Sequence, residues 1–428
     1  MVSYDFLEQL AQRFEQPPAV VNAAACTREM TYLSRCERCV QACPHEAIDL
    51  RGTVKVLPTC TGCGACLTVC PTDAYRLPES NLGETLEQVE RAARENGSGL
   101  LTCVRSRVTR QADAVLPCLA RADETLLLGA FAAGAREVTL VRGPCEGCEN
   151  APAMPRLERT VARLQGWAGA IPATAGLRLV AEEEAPPRAR PRAEVQGQRR
   201  AFFAWIQREG MQVAARLADE VAAGWRGTPP PSPRGTLSAE RRLLLGLLRR
   251  LPGGEGTLPY DPEGPFADLM VDLDACDGSA TCVRVCPTGA LKQPEEPGGF
   301  ALTFQASRCV NCGLCVEHCQ PKAIRFAPAA PLAALRQGTV RVAVQKTTAH
   351  CASCGLPFVP SKATGASGRC KYCGVPDLFP AAPAPEPLAE MPAPASPASA
   401  ADPMAPTERT GVTDASGPTD APVSEATL

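Results

Sequence analysis

The chain's 23 cysteines fall into four tight groups, and this grouping constrains the fold more than any other feature of its 428 residues. Residues 26–70 hold eight, 103–148 four, 276–319 seven and 351–373 four, with 127 cysteine-free residues between the second and third groups. Cysteines scattered through an apolar core would not cluster in this way. The odd count, and a length far above that of small secreted domains, argue against a closed disulfide framework. Grouped thiols in a reducing compartment are metal ligands, and with only 3 histidines in the chain, sulfur dominates the available ligand chemistry.

Composition narrows the class further. With 44 basic and 46 acidic residues, no whole-chain basic field points to nucleic acid. The start, MVSYDFLEQLAQRFEQ, lacks the charged and apolar regions of a secretory signal. The most apolar run, Leu243–Leu248, is far shorter than the ~20 residues that span a bilayer. A cytoplasmic protein with no membrane span and no nucleic-acid partner is expected.

Two groups contain the same repeat. Cys43-Pro-His-Glu-Ala47, Cys70-Pro-Thr-Asp-Ala74, Cys286-Pro-Thr-Gly-Ala290 and Cys319-Gln-Pro-Lys-Ala323 each end a cysteine run with Cys-x3-Ala and an apolar residue. Alternating segments at Thr53–Leu57 and Phe300–Phe304 separate the runs and read as strands. Between the two groups, helical patterns at Gly83–Glu95, Asp123–Ala135 and about 156–167 alternate with short apolar runs at Leu100–Val104, Ala114–Leu116, Glu137–Val141 and Leu177–Val180. That alternation predicts a small parallel α/β domain.

The expected architecture is therefore α+β and multidomain. It comprises an N-terminal helix (1–25), a first module (26–80), an α/β domain (83–182), a linker (183–198), a helical connector (199–258), a second module (266–328), a four-cysteine knot (340–378) and a disordered Ala/Pro-rich tail (379–428). In the connector, Phe202, Ile206, Val213, Leu217 and Val221 share one helical stripe, and Ser238 can cap a second, Leu-rich helix.

Cys60-x2-Cys63-x2-Cys66-x3-Cys70-Pro71 is a complete iron–sulfur run. Its spacing lets three thiolates of one loop grip three corners of a cubane while the fourth reaches a second cluster. On these residues the segment 26–78 resembles a bacterial two-cluster ferredoxin, which implies two [4Fe–4S] sites. One takes Cys60, Cys63, Cys66 and Cys43; the other takes Cys26, Cys36, Cys39 and Cys70. Leu33 stands where the first cysteine of the second set belongs, so Cys26 is the substitute, the alternative being a free Cys26 and three thiolates.

Cys309-x2-Cys312-x2-Cys315-x3-Cys319 is complete as well, and with Cys286 it makes a third [4Fe–4S] site. Upstream, Cys276, Cys282 and Cys286 match three of four positions and Ser279 occupies the remaining one, leaving Cys276, Cys282 and Cys319 as a three-thiolate set. This half resembles the seven-iron ferredoxins, where such a site holds [3Fe–4S]. A [4Fe–4S] core with serine or water on its fourth iron is the competing assignment.

Cys103, Cys118, Cys145 and Cys148 fall at the ends of expected strands, where α/β sheets gather ligand sites. The stretches Leu116-Pro117-Cys118, Leu126–Ala135 and Val141–Cys148 resemble the delta subunit of methyl-viologen-reducing hydrogenase. That resemblance implies a [2Fe–2S] cluster on these four cysteines and electron transfer to a flavin-bearing partner. The spacing Cys145-x2-Cys148 is tighter than the family's, and a zinc site or free thiols are the alternatives. Cys351-x2-Cys354-Gly355 and Cys370-x2-Cys373-Gly374 have the two-knuckle spacing of a zinc ribbon, with a rubredoxin-type iron site less favoured.

No G-x-G-x-x-G opens a helix after a strand, and there is no G-x-x-x-x-G-K-[ST] loop and no Cys-x3-Cys-x2-Cys run. His45, His318 and His350 stand beside cysteine runs, where each could tune a neighbouring cluster through hydrogen bonds but a solvated loop residue is the favoured reading, and Arg188–Arg192, Arg199-Arg200 and Arg241-Arg242 read as solvated or docking faces. The function expected is multi-cluster electron transfer, as a subunit or shuttle serving a flavoprotein, hydrogenase or molybdenum enzyme. The rival readings are an enzyme using an open iron near Ser279, and a redox sensor or assembly factor.

Overall fold

The computed structural model of the protein describes residues 17–77, 82–188, 235–365 and 367–374. The first module is built from strands of two residues: β1 (Val20–Val21) pairs antiparallel with β4 (Tyr75–Arg76), and β2 (Ile48–Asp49) with β3 (Lys55–Val56). Short helices α1 (Thr27–Met30), α2 (Arg38–Ala42) and α3 (Ala65–Val69) carry the cysteine loops. Its core is Cys39, Ile48, Val54, Ala74 and Tyr75, too little apolar surface to offset the ordering of some fifty residues without help from ligands.

The helix expected over 1–25 does not extend through its described part. After Pro17-Pro18, the β-branched Val20–Val21 pair favours extended backbone and closes the module's edge, and Ala23–Ala25 forms a 3-10 turn. Residues 1–16 lie outside the described residues.

The α/β pattern is realised as a four-stranded, wholly parallel sheet. β5 (Ser98–Cys103), β6 (Ala114–Leu116), β7 (Glu137–Arg142) and β8 (Leu177–Ala181) lie in the order β6-β5-β7-β8. Helices α4 (Leu82–Asn96), α5 (Glu124–Ala132) and α6 (Met154–Gly166) accompany them. Leu100, Leu101, Val138, Leu140 and Val141 are fully buried, as strands covered on both faces require. Asp123 starts α5, its Oδ1 accepting from the Leu126 amide at 2.8 Å.

In the connector, the stripe from Phe202 to Val221 lies outside the described residues. The second helix forms as α7 (Ala239–Arg250), with Ser238 Oγ accepting from the Arg241 amide at 3.0 Å. Its Leu244, Leu245 and Leu248 join one apolar core running from the α/β sheet into the second module.

That module pairs β9 (Thr257–Pro259) with β14 (Ala329–Pro331), and β10 (Leu269–Val271) with β13 (Ile324–Phe326). α8 (Thr281–Val285), α9 (Leu314–Glu317) and α10 (Leu332–Gln337) complete it. A three-stranded sheet, β11 (Leu291–Lys292), β12 (Gly299–Gln305) and β15 (Val340–Thr347), stands beside it. Residues 340–347, expected to lead the four-cysteine knot, instead pair along the whole of β12, from Gly299↔Thr347 to Gln305↔Val340. The physical reason is that β12 offers an open edge and the alternating Val340, Val342 and Val344 suit it, Val344 being buried. The knot itself holds only the hairpin β16 (Ala349–His350) and β17 (Pro357–Phe358). The tail from 375 onward lies outside the described residues, and among those described no helix is long and apolar enough to cross a membrane.

Candidate iron–sulfur and metal centres

The thiolate loops share a backbone pattern. In Cys60–Cys66, Gly62 and Gly64 have φ of 71° and 82°; in Cys309–Cys315, Asn311 and Gly313 have 54° and 82°. The Cys276–Cys282 loop keeps the pattern, with Gly278 at 68° and Ala280 at 52°. Ser279 is thus carried in the same kind of loop that presents Cys63 and Cys312. Two left-handed residues flanking the middle position fold the loop tightly enough for three side chains to point one way.

The Cys-x3-Ala repeat has a structural meaning that the sequence did not disclose. The residue before each alanine is left-handed: Glu46, Asp73, Gly289 and Lys322, with φ between 50° and 65°. That kink turns the next amide back on the sulfur. The amides of Ala47, Ala74 and Ala323 donate to the Sγ of Cys43, Cys70 and Cys319 at 3.3, 3.3 and 3.2 Å. Alanine suits the position because these residues are buried. A left-handed non-glycine residue costs ~1–2 kcal/mol, strain of the kind that functional sites store.

The expected sets gather. Cys43, Cys60, Cys63 and Cys66 line one cavity, and Cys286, Cys309, Cys312 and Cys315 another. Burial, then the neighbouring Cys63, Cys60 and Cys43, push the Cys66 thiol far up. Burial, then Cys309 and Cys286, push Cys312 up to about 12. Cys26 is raised by burial and by Cys36, and Cys39 by burial and by both Cys36 and Cys26, and Cys26 packs about the same small core as Cys39 and Cys70. Burial holds Cys70 at about 11. Cys282, also at about 11, is raised by burial and by Cys276 and Cys319, which brings the three-thiolate set together. Buried thiols this close cannot ionise side by side without a cation between them. Their chemistry fits a metal core.

Cys103, Cys118, Cys145 and Cys148 line a further cavity at the carboxyl ends of β5, β6 and β7. A Cβ on Gly143 would lie 2.9 Å from Cys103 Sγ and 3.1 Å from the Ser106 amide, so only glycine leaves that sulfur its place. Cys118 is raised to about 11 by burial and by Cys63, Cys103 and Cys148. Cys63 and Cys118 also pack together with Ala65, Ala120 and Ala153. Asn150 Oδ1 bridges the two sites, meeting Thr61 Oγ1 at 2.9 Å and His45 Nε2 at 2.8 Å.

In the knot, the four Sγ atoms of Cys351, Cys354, Cys370 and Cys373 lie within 4.8 Å of one another. One ion 2.3 Å from four tetrahedral sulfurs sets them about 3.8 Å apart, and Cys354 Sγ lies 4.0 Å from Cys370 Sγ. The amides of Cys370 and Cys354 lower Cys351 to about 6, and hydrogen bonding to Cys354 and Cys370 raises Cys373 to about 12. Among the described residues no other set of three or more cysteine, histidine or acidic ligand atoms is so close.

Two expectations about polar residues fail. His45 is not a solvated loop residue but is tied to Asn150, and His318 is buried, its Nδ1 2.9 Å from the Leu314 carbonyl and its Nε2 3.3 Å from Thr31 Oγ1 in the first module. Arg241 is no surface charge either. It is 4% exposed, its guanidinium donating to the carbonyls of Ser307, Pro265 and Cys309. Burial, partly opposed by Cys309 and Asp73, lowers it to about 10. Arg38 carries no sequence signal, yet its Nη2 donates to the Asn311 carbonyl at 2.7 Å, joining the Cys36–Cys39 loop to the Cys309–Cys312 loop. Nothing in local spacing marks these residues, since their partners are distant in the chain.

Two segments of the chain match a known family. Residues 34–74 and residues 268–320 each match the 4Fe-4S dicluster domain. The chain is 33% identical over 78 residues to the polyferredoxin MvhB of Methanothermobacter marburgensis, spanning 17% of this chain and 19% of that one. It is 32% identical over 57 residues to an uncharacterized ferredoxin of Methanocaldococcus jannaschii, covering 13% of this chain and 74% of that protein. It is 43% identical over 47 residues to a ferredoxin of Methanothermococcus thermolithotrophicus, covering 10% and 78%. With the thiolate loops, their amide donors and these matches together, the chain belongs to the ferredoxins and carries two 4Fe-4S dicluster domains.

Proposed function

We propose that this protein relays single electrons to or from a larger oxidoreductase, as a subunit or shuttle whose partner carries flavin, nickel or molybdenum. Three sites would hold [4Fe–4S]: Cys43/Cys60/Cys63/Cys66, Cys26/Cys36/Cys39/Cys70 and Cys286/Cys309/Cys312/Cys315. Cys276, Cys282 and Cys319 would hold [3Fe–4S], or [4Fe–4S] with a non-thiolate ligand. Cys103, Cys118, Cys145 and Cys148 would hold [2Fe–2S], and the knot zinc. When bound, iron–sulfur cores supply one-electron chemistry. The chain's part is to fix the thiolates, aim amides at the sulfurs and exclude water.

The observation that carries the reading is adjacency. Cys118 packs on Cys63, and Arg38 binds the carbonyl beside Cys312, so the α/β site, the first module and the second module abut at their ligand loops. Such contact is what a relay needs and what separately folded metal domains lack.

The test is metal and acid-labile sulfide analysis of anaerobically purified protein, with EPR of oxidised and reduced samples. About 15 to 18 iron atoms and about one zinc per chain are expected. Fewer than about 8 iron atoms after full reconstitution would sink the two-module assignment.

A further inference from the structure

The knot does not stand apart from the clusters. Lys371, between the knot cysteines 370 and 373, donates its Nζ to Asp277 Oδ2 at 2.7 Å, and that aspartate's side chain is only 9% exposed. Asp277 lies between Cys276 and Ser279, and its Oδ1 accepts from the Ser279 amide at 3.0 Å. Further along the same segment, the Lys362 amide donates to the Asp274 carbonyl at 2.7 Å. Val359 is buried against Gly278: a Cβ there would lie 2.3 Å from Val359 Cγ2. From the strand leading into the knot, Lys346 Nζ donates to the carbonyls of Leu273 at 2.9 Å and Cys276 at 3.0 Å, and also to that of Pro360. The contacts of Lys346 Nζ, Val359, the Lys362 amide and Lys371 Nζ land on residues 273–278, the start of the loop that carries Ser279 where its counterparts carry a cysteine.

We propose that the knot is a metal-dependent clamp on the three-thiolate site, an inference that rests on the assignment of Cys276, Cys282 and Cys319 given above. One divalent cation on Cys351, Cys354, Cys370 and Cys373 fixes the Cys370–Cys373 turn. The turn fixes Lys371, and Lys371 holds Asp277 and with it the Cys276–Ser279 backbone. A site with three thiolates lacks one of the anchors that its four-thiolate neighbours have, and the clamp supplies the missing constraint through the backbone. The pairing is selective: loss of the knot's metal loosens iron at this site and leaves the four-thiolate sites intact.

The experiment compares the full-length wild type with a Cys354→Ser/Cys373→Ser double variant and with Lys371→Met, all purified anaerobically and assayed for zinc, for iron and by low-temperature EPR. The double variant is expected to lose its zinc together with the EPR signal of the three-thiolate site, the other iron signals persisting. Lys371→Met, which leaves the four knot cysteines in place and serves if the double variant does not fold, is expected to keep zinc yet release iron from the three-thiolate site about tenfold faster on mild oxidation. Full iron and an unchanged signal after zinc loss, or a Lys371→Met protein matching wild type, would overturn the clamp alone. A wild type with no signal from the three-thiolate site would instead remove the cluster assignment and the clamp with it.

Discussion

A single backbone angle explains the most persistent motif in this chain. Cys-x3-Ala recurs because a left-handed residue such as Asp73 (φ 52°) turns the Ala74 amide onto Cys70 Sγ. The repeat was visible in the sequence; its cause was not, since φ is not written in residue identity when Glu, Asp and Lys take the position as readily as Gly. The α/β site depends on a comparable detail. Gly143→Ala places a methyl 2.9 Å from Cys103 Sγ and against backbone at Ser106 that cannot yield as a side-chain tip would. Replacing Gly143 is expected to abolish or distort the absorption and EPR features of the proposed 103–148 centre while the iron of both dicluster domains is retained. Unchanged spectra would show that Cys103 is not a ligand.

Among the elements, those set by local pattern emerged where their periodicity placed them. α4, α5, α6 and the parallel strands β5 to β8 follow apolar spacing and caps that any reader of the chain can mark. Asp123, the cap of α5, also carries a pH dependence. Burial raises its carboxyl to about 7, against the Leu126 amide that favours the charged form. A carboxyl raised on folding adds stability that is complete below its unfolded value and is lost as pH climbs through the folded value. Wild type should therefore weaken between about pH 4 and pH 7 relative to Asp123→Asn, which keeps the cap acceptor and cannot ionise. Thermal melts at pH 5 and pH 8 should show the variant gaining on wild type by several degrees; an equal difference at both pH values would mean the carboxyl is not raised. Elements set by distant partners differ from what local pattern predicts. β15 looked like the entry to the knot because nothing in Val340–Thr347 names β12 as its neighbour, and β1 was absorbed into an expected helix because its partner, β4, lies some fifty residues away.

At the level of the molecule, buried arginines join the parts. Arg156, on α6 and 3% exposed, donates to the Thr68 carbonyl of the first module at 2.8 Å and to Glu263, at the entry to the second, at 2.7 Å. Arg163 on the same helix binds Asp261 at 2.7 Å and the buried Glu124 of α5. Arg156→Ala leaves a carbonyl and a half-exposed carboxylate without this donor. The expected cost is about 1–3 kcal/mol in denaturant unfolding, with faster proteolysis between the modules. A denaturation midpoint and cleavage pattern equal to wild type would show the helix to be a bystander in assembly.

What the amino-acid order determined alone was the placement of thiols: which cysteines share one short loop, and where Ser279 stands in the position that a cysteine takes in the companion loops. Those properties act over a few residues, within reach of spacing and backbone stiffness. Tertiary structure decided how the centres meet: Cys118 against Cys63, Arg38 on the Asn311 carbonyl, Lys371 on Asp277. These contacts join residues from 55 to 273 positions apart, and they exist only once β-sheet register and helix packing have brought separate segments together, which no local pattern encodes.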